Sequence, residues 1–318
     1  MAMRDLLKSV IFTGLSSPLQ IRRRLDRLRS QNVVTVLNLH RVAENDGSDY
    51  RPLNPSLFDE LLSFATRNYE MRTFSNLDEP SERPRMILSF DDGYRDFLDV
   101  AMPVLERYGV RVNQNIIPGC VDRGIPPFNV VAQDFVGKAP IEFVKRLSVP
   151  GFAVRVDPRL GLRLSAFLKN RSMAEQDELR AVLEPQFARW ADPNPTQLLS
   201  LAQIRQVAEQ HEVGGHSFDH ASMSFETTDY LRCDIDRCKK WFREKLKLEM
   251  AIYAFPNGSI SPGQIEVAHS AGLRYLLLVG EKFSASKNVH HRITFDARTK
   301  AEVRYKAVGA RSPINSFQ

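Results

Sequence analysis

The sequence predicts an α/β protein, a deformed and incomplete (β/α) barrel of about seven parallel strands with a largely helical insertion. Three observations predict it. Short apolar runs of strand length alternate with helical stretches, as in parallel β/α units. About seven such strands are countable, near the eight of a complete barrel. Polar residues able to bind a metal stand directly after several of those runs, on the edge where such folds carry their sites.

The strands read as Val33–Leu39, Met86–Phe90, Arg111–Ile117, Glu212–Gly214, Ile252–Phe255, Tyr275–Val279 and Arg292–Phe295. Between them, Ser56–Asn68 reads as a helix with Ser56 as N-cap, and Phe97–Tyr108 as a helix interrupted near Pro103. Ser200 leads a helix within Pro195–Gln210, Asp229–Leu246 is a charged helix, and Gly272 ends Ser261–Ala271. Residues 120–198 break this rhythm: Pro and Gly crowd the first part, and a helical stretch rich in Arg, Glu and Leu runs from Leu162 to Trp190. This reads as an insertion, a lid over the site or a dimer surface. The expected organisation is a basic helical segment over 1–30 followed by one barrel domain over 31–318.

Composition bounds the class. The chain has 318 residues, 43% hydrophobic and 26% charged, with a mean hydropathy of −0.31. These values suit a globular chain and exclude a coiled coil or a disordered one. Cys120, Cys233 and Cys238 form no C-x-x-C pair, so they read as small buried thiols, without a disulfide framework or a four-cysteine zinc site. The net charge is +6. Residues 1–30 carry +5 and 282–318 carry +6, while 31–281 hold 29 basic against 34 acidic residues, a net −5. An acidic middle argues against a nucleic-acid partner. Met3, Leu6, Leu7, Val10 and Ile11 recur at helical spacing; that segment either packs on the domain or rests on an anionic inner membrane surface. No convincing export signal is present, so the expected location is cytoplasmic, with peripheral membrane contact open.

Two motifs carry the chemistry. Ser89-Phe90-Asp91-Asp92-Gly93-Tyr94 follows an apolar strand. Adjacent carboxylates repel each other, and a divalent cation on one leaves the other as an ionised base. Gly214-Gly215-His216-Ser217-Phe218-Asp219-His220 follows another strand, and two His at i and i+4 can turn both imidazoles to one ion. One Asp and two His make three protein ligands with a position left for water, the catalytic rather than the structural arrangement.

These residues resemble the polysaccharide deacetylase family, the nodulation-type chitooligosaccharide deacetylase homology domain. Ser89–Gly93 is similar to its first motif and His216–His220 to its second. The resemblance implies that Asp92, His216 and His220 bind the metal and that Asp91 is the general base. Leu39-His40-Arg41-Val42 looks like a Tyr-His-Arg-Val run in an exopolysaccharide and surface-glycan subgroup, which makes His40 the first candidate for the protonating or substrate-orienting group. Phe255-Pro256-Asn257-Gly258 resembles a degenerate third motif; Tyr94 and Asn257 are the expected substrate-binding residues. Two departures stand out. The arginine that holds the base aspartate in many members has no counterpart at Ala254 or Phe255. The histidine of the fifth motif is matched only loosely by His290 or His291 within Asn288–Ile293.

The resemblance implies a metal-dependent enzyme that hydrolyses an N-acyl amide, N-acetyl first, on an amino sugar in a glycan or a lipid- or nucleotide-linked sugar. Zinc is the first choice of ion, with nickel or cobalt also suited to Asp/His ligation. The competing expectations are a degenerate member that binds metal or glycan without turnover, and a metal-dependent amidohydrolase acting on a non-sugar small molecule.

Overall fold

The computed structural model describes Phe12, Gly14 and residues 17–283, 287–310 and 312. The helical face expected at Met3 to Ile11 lies outside the described residues.

Eight parallel strands form one sheet: β1 (Val34–Leu39), β2 (Glu70–Met71), β3 (Arg85–Phe90), β4 (Asn113–Ile116), β5 (Glu212–Gly215), β6 (Ile252–Ala254), β7 (Tyr275–Val279) and β8 (Val289–Thr294). The order is β1-β8-β7-β6-β5-β4-β3, and a β1–β3 pairing closes seven of them into a ring. The ring has the seven strands expected, one short of a complete eight-stranded barrel. β1 occupies one edge of β3 over its whole length, while two-residue β2 and the start of β4 share the other edge. The last strand begins earlier than the sequence suggested, and that shift decides which of its side chains reaches the site.

Side-chain alternation builds the barrel interior in two layers. Val34, Val36, Ile87, Ile252, Ala254, Tyr275 and Leu277 form an apolar lower layer. Above it, Asn38 of β1, Ser89 of β3, Asn113 and Asn115 of β4 and Arg292 of β8 form a buried polar upper layer. Ser89 Oγ donates to Asn113 Oδ1 (2.7 Å), and Asn115 Nδ2 donates to Ser89 Oγ (3.2 Å). This polar layer sits directly beneath the C-terminal rim.

The helices surround the ring and pack mainly through Leu, Phe and Val. Asn54, not Ser56, caps the helix Pro55–Asn68: its side chain accepts from Ser56 N, and proline at the first helical position costs no hydrogen bond. Ser200 caps Leu201–Gln210 as expected, with Gln203 closing a capping box. Asp229–Leu246 is helical over Thr228–Trp241 and widens into a π-turn at Phe242–Leu246. Helix Pro18–Ser30 is tied down by Arg24, which donates to Val308 O (3.2 Å) and Gly309 O (2.6 Å). No helix among the described residues is long and apolar enough to cross a membrane. Of the cysteines, Cys120 and Cys238 are buried as expected, whereas Cys233 is exposed on its helix.

The stretch between β4 and β5 holds its own apolar cluster, in which Phe128, Phe135, Leu164, Leu183 and Phe187 meet. Helices Phe128–Lys138 and Leu160–Lys169 pack side by side. They rest on the loop before Tyr50: Asp49 N donates to Gln133 O (3.3 Å), and Gly161 N donates to Asp49 Oδ2 (3.1 Å). A Cβ on Gly161 would meet that carboxylate at 2.4 Å, so glycine permits the close seating.

Candidate metal centre and catalytic cavity

The loops after β3 and β5 bring three side chains to one point. Asp92 Oδ1 lies 3.4 Å from His216 Nε2 and 3.5 Å from His220 Nε2, and the ligand atoms of all three lie within 4.8 Å of one another. All three are buried. His216 Nδ1 is engaged with Ala254 O (2.8 Å), which leaves Nε2 to face inward.

The backbone is bent to achieve this. Asp92, Ser217, His220 and Asn257 have φ of 73°, 57°, 64° and 59°. Non-glycine residues there cost about 1–3 kcal/mol each and persist only where surroundings enforce them. Asp234, reaching from helix Thr228–Trp241, provides much of that enforcement. It accepts from Ser217 Oγ (2.9 Å), Phe218 N (2.9 Å) and Tyr253 Oη (2.6 Å). Gly214 is required for close approach, since a Cβ would meet Asn115 Oδ1 at 2.5 Å and Ile252 at 2.9 Å.

The residues fit a divalent cation. Asp92 Oδ1 is buried and accepts no hydrogen bond, which is costly for a carboxylate oxygen unless a cation completes it. Asp92 Oδ2 accepts from Tyr94 Oη (2.8 Å). Although burial alone would raise it, the neighbouring imidazoles hold Asp92 well below the usual carboxylate range. Burial pushes His220 down to about 3 against the pull of Asp92. On His216 burial is outweighed by Asp91 and Asp92, which raise it.

Asp91 faces the same centre, its Oδ2 3.8 Å from His216 Nε2. Its Oδ1 accepts from Arg292 Nη1 (2.6 Å) and Asn115 Nδ2 (2.8 Å). Arg292 is fully buried, and Nη1 also reaches Ser89 Oγ (3.0 Å) and Asn38 Oδ1 (3.2 Å). Burial would raise Asp91, but Arg292 and His216 hold it far below the ordinary value. It is therefore ionised at any working pH. The arginine sought near Ala254 thus comes from β8. The histidines expected on the same strand are not at the site: His290 packs on Phe74 and Tyr275 in the apolar layer. It precedes Arg292 by two residues, about 6.6 Å further from the rim. Neither His290 nor His291 lines the cavity.

The centre opens into a cavity of about 920 Å³. His40 and Asn257 line it with the metal-site residues, as do Asn129 and Lys169 from the insertion. Asn257 Nδ2 donates to Ser222 Oγ (2.9 Å). His40 meets Tyr50 edge-on at 5.9 Å, and burial pushes its imidazole below the ordinary value. Tyr94, expected to touch substrate, is fully buried and donates to Asp92 instead. Tyr94→Phe should lower metal affinity about 10–100-fold with the fold intact, as losses of such supporting groups do. Competition with a chromophoric chelator measures this, and unchanged affinity would remove Tyr94 from the site. His211, read as structural, is buried and accepts from Val112 N (3.3 Å).

A closed β/α ring with two histidines and a carboxylate converging beside a second carboxylate is an arrangement that could hold a divalent cation and suits a hydrolase. Residues 175–276 match the family model described as polysaccharide deacetylase. The match includes His216 and His220; Asp91 and Asp92 precede it. Among solved structures, the Streptococcus pyogenes deacetylase PplD in complex with acetate is 15% identical with a TM-score of 0.57, covering 87% of this chain and 98% of that one. IcaB from Ammonifex degensii is 15% identical with a TM-score of 0.55, over 87% and 97% of the two chains. The BpsB deacetylase domain from Bordetella bronchiseptica is 14% identical with a TM-score of 0.52, over 84% and 97%. At these identities the likeness is one of fold. No curated protein matches the chain.

Proposed function

We propose that the chain removes an N-acyl group, N-acetyl first, from an amino sugar held in a glycan or linked to a lipid or nucleotide, with one divalent cation at Asp92, His216 and His220. The observation that carries this is the buried, unpartnered Asp92 Oδ1 facing two imidazole Nε2 atoms. The cation supplies a water of lowered pKa and polarises the acyl carbonyl; zinc, nickel and cobalt all suit the donor set.

The chain's own residues do the rest. Asp91, fixed by Arg292 and Asn115, takes the proton of the attacking water and passes it to the departing nitrogen, since an amine anion is too poor a leaving group. The C–N bond breaks, and acetate and the free amino sugar result. Burial pushes the His40 imidazole below its ordinary value, which favours the orienting of the acyl group over proton donation among its two expected roles. The solved streptococcal structure contains acetate, the product expected here.

Acetate release from N-acetylated amino sugars tests this. The reconstituted protein should release acetate, while chelated protein and His216→Ala should not. Turnover that survives both metal removal and His216→Ala would overturn the reading.

A further inference from the structure

Lys169 is unassigned by the mechanism above, yet it lines the catalytic cavity with Asp91, Asp92, His40, His216 and His220. It is the last residue of helix Leu160–Lys169 in the insertion. A lysine in the final turn of a helix is ordinary; one that is partly buried and turned into a catalytic cavity is not. Its ammonium has no hydrogen bond or ion pair among the described residues. Burial pushes it below the usual lysine value, against the attraction of Asp92 and Asp91.

Charge balance shows that the two carboxylates do not account for it. Asp91 is paired with Arg292 at 2.6 Å, and Asp92 is a ligand of the proposed cation. With a divalent ion in place, two negative charges face Arg292 and the ion, so the centre is already at +1 before Lys169 is counted. The wider cavity adds to the surplus. Arg41 is committed to Asp46 and Asp96, each at 2.9 Å. Arg51 and Arg298 line the mouth, exposed and with no ion pair among the described residues, and the acid among them, Asp296, is taken by Lys306 at 2.5 Å. A deep ammonium and two guanidinium groups at the mouth remain for something that is not protein.

We propose that Lys169 selects an acidic substrate: the N-acylated sugar carries an anionic substituent, phosphate or carboxylate, that pairs with Lys169 while Arg51 and Arg298 attract it to the mouth. This rests on the deacetylase reading above and adds the substrate's charge. A compact ammonium recognises phosphate or carboxylate as a point charge, without the bidentate geometry of arginine. The seating of the insertion on Asp49 holds Lys169 over the site, so the selectivity comes from a segment outside the barrel ring.

The test compares N-acetylglucosamine 1-phosphate, an N-acetylated aminohexuronic acid and neutral methyl N-acetylglucosaminide. Acetate release gives kcat/KM for each. Calorimetry gives binding of the three deacetylated products, a readout that needs no turnover. The wild type should prefer at least one anionic sugar by about tenfold or more, the size expected of a charge-assisted contact, and the preferred one identifies phosphate or carboxylate. Lys169→Met should collapse the ratio of anionic to neutral kcat/KM, and Lys169→Arg should restore part of it. High salt should shrink the preference. A wild type that prefers the neutral sugar in both assays, or a Lys169→Met ratio equal to the wild type's, overturns the proposal. If no sugar is turned over, the deacetylase reading fails on its own, and the product-binding ratio still decides whether Lys169 recognises the anion.

Discussion

Arg292→Met is expected to cost about 3–5 kcal/mol of stability, because it leaves a buried carboxylate without its partner. The side chain is fully buried and donates to Asp91 at 2.6 Å, with Ser89 and Asn38 also in reach of Nη1. The sign of the pH effect follows from the same contact. In the wild type Arg292 depresses Asp91, so the ionised aspartate stabilises the fold at all pH values above the ordinary carboxylate range. That contribution is lost only as pH falls through the lower folded-state value. Without the guanidinium, burial is the dominant influence and raises Asp91 instead. The acid limb of the kcat profile should then move to higher pH, and the melting temperature should fall. Arg292→Lys should recover part of both. A variant with wild-type melting and an unmoved acid limb would separate Arg292 from Asp91.

Asp91→Asn is expected to keep the metal and lose about 10²–10⁴ in kcat, the usual worth of general acid–base help. The amide can still face Arg292 and Asn115, so the fold should hold, but it cannot take a proton. Asp92→Asn should differ in kind by weakening metal binding as well. The contrast is informative because the two residues are adjacent yet face different partners: Asp91 the polar layer of the barrel, Asp92 the imidazoles and Tyr94. Metal analysis beside acetate release distinguishes them, and a fully active Asp91→Asn protein would refute the base assignment.

The strands were legible because parallel barrel strands are buried on both sides and read as apolar runs; all six residues of β1 are buried. Ring closure was less so, since a β1–β3 pairing skips the intervening β2 and leaves no local signal. Asp92, His216 and His220 could be placed together because each follows a strand, and strand ends share one rim. The resemblance points to a histidine in 288–293 and so draws attention away from Arg292. Its signal was available: an arginine between His291 and Ile293 in a strand-like run must either lie exposed or have a buried anion as partner. Asp234 was harder to find. It sits on a helix whose charge pattern looks solvent-facing, and only the fold turns it toward Ser217. Lys169 lies in a segment where sequence pattern showed helix but not what the helix covers. Tyr94 was assigned to substrate from its motif, whereas the turn after Asp92 folds its ring inward.

The most direct measurement is the metal content and ion position of the purified protein, by elemental analysis and anomalous diffraction, in the wild type and in Asp92→Ala. The account predicts one divalent ion per chain, bound by Asp92 Oδ1 and the Nε2 atoms of His216 and His220, and its loss in the variant. A reconstituted wild type that holds no ion there, or an Asp92→Ala protein that retains one ion with undiminished affinity, would contradict it.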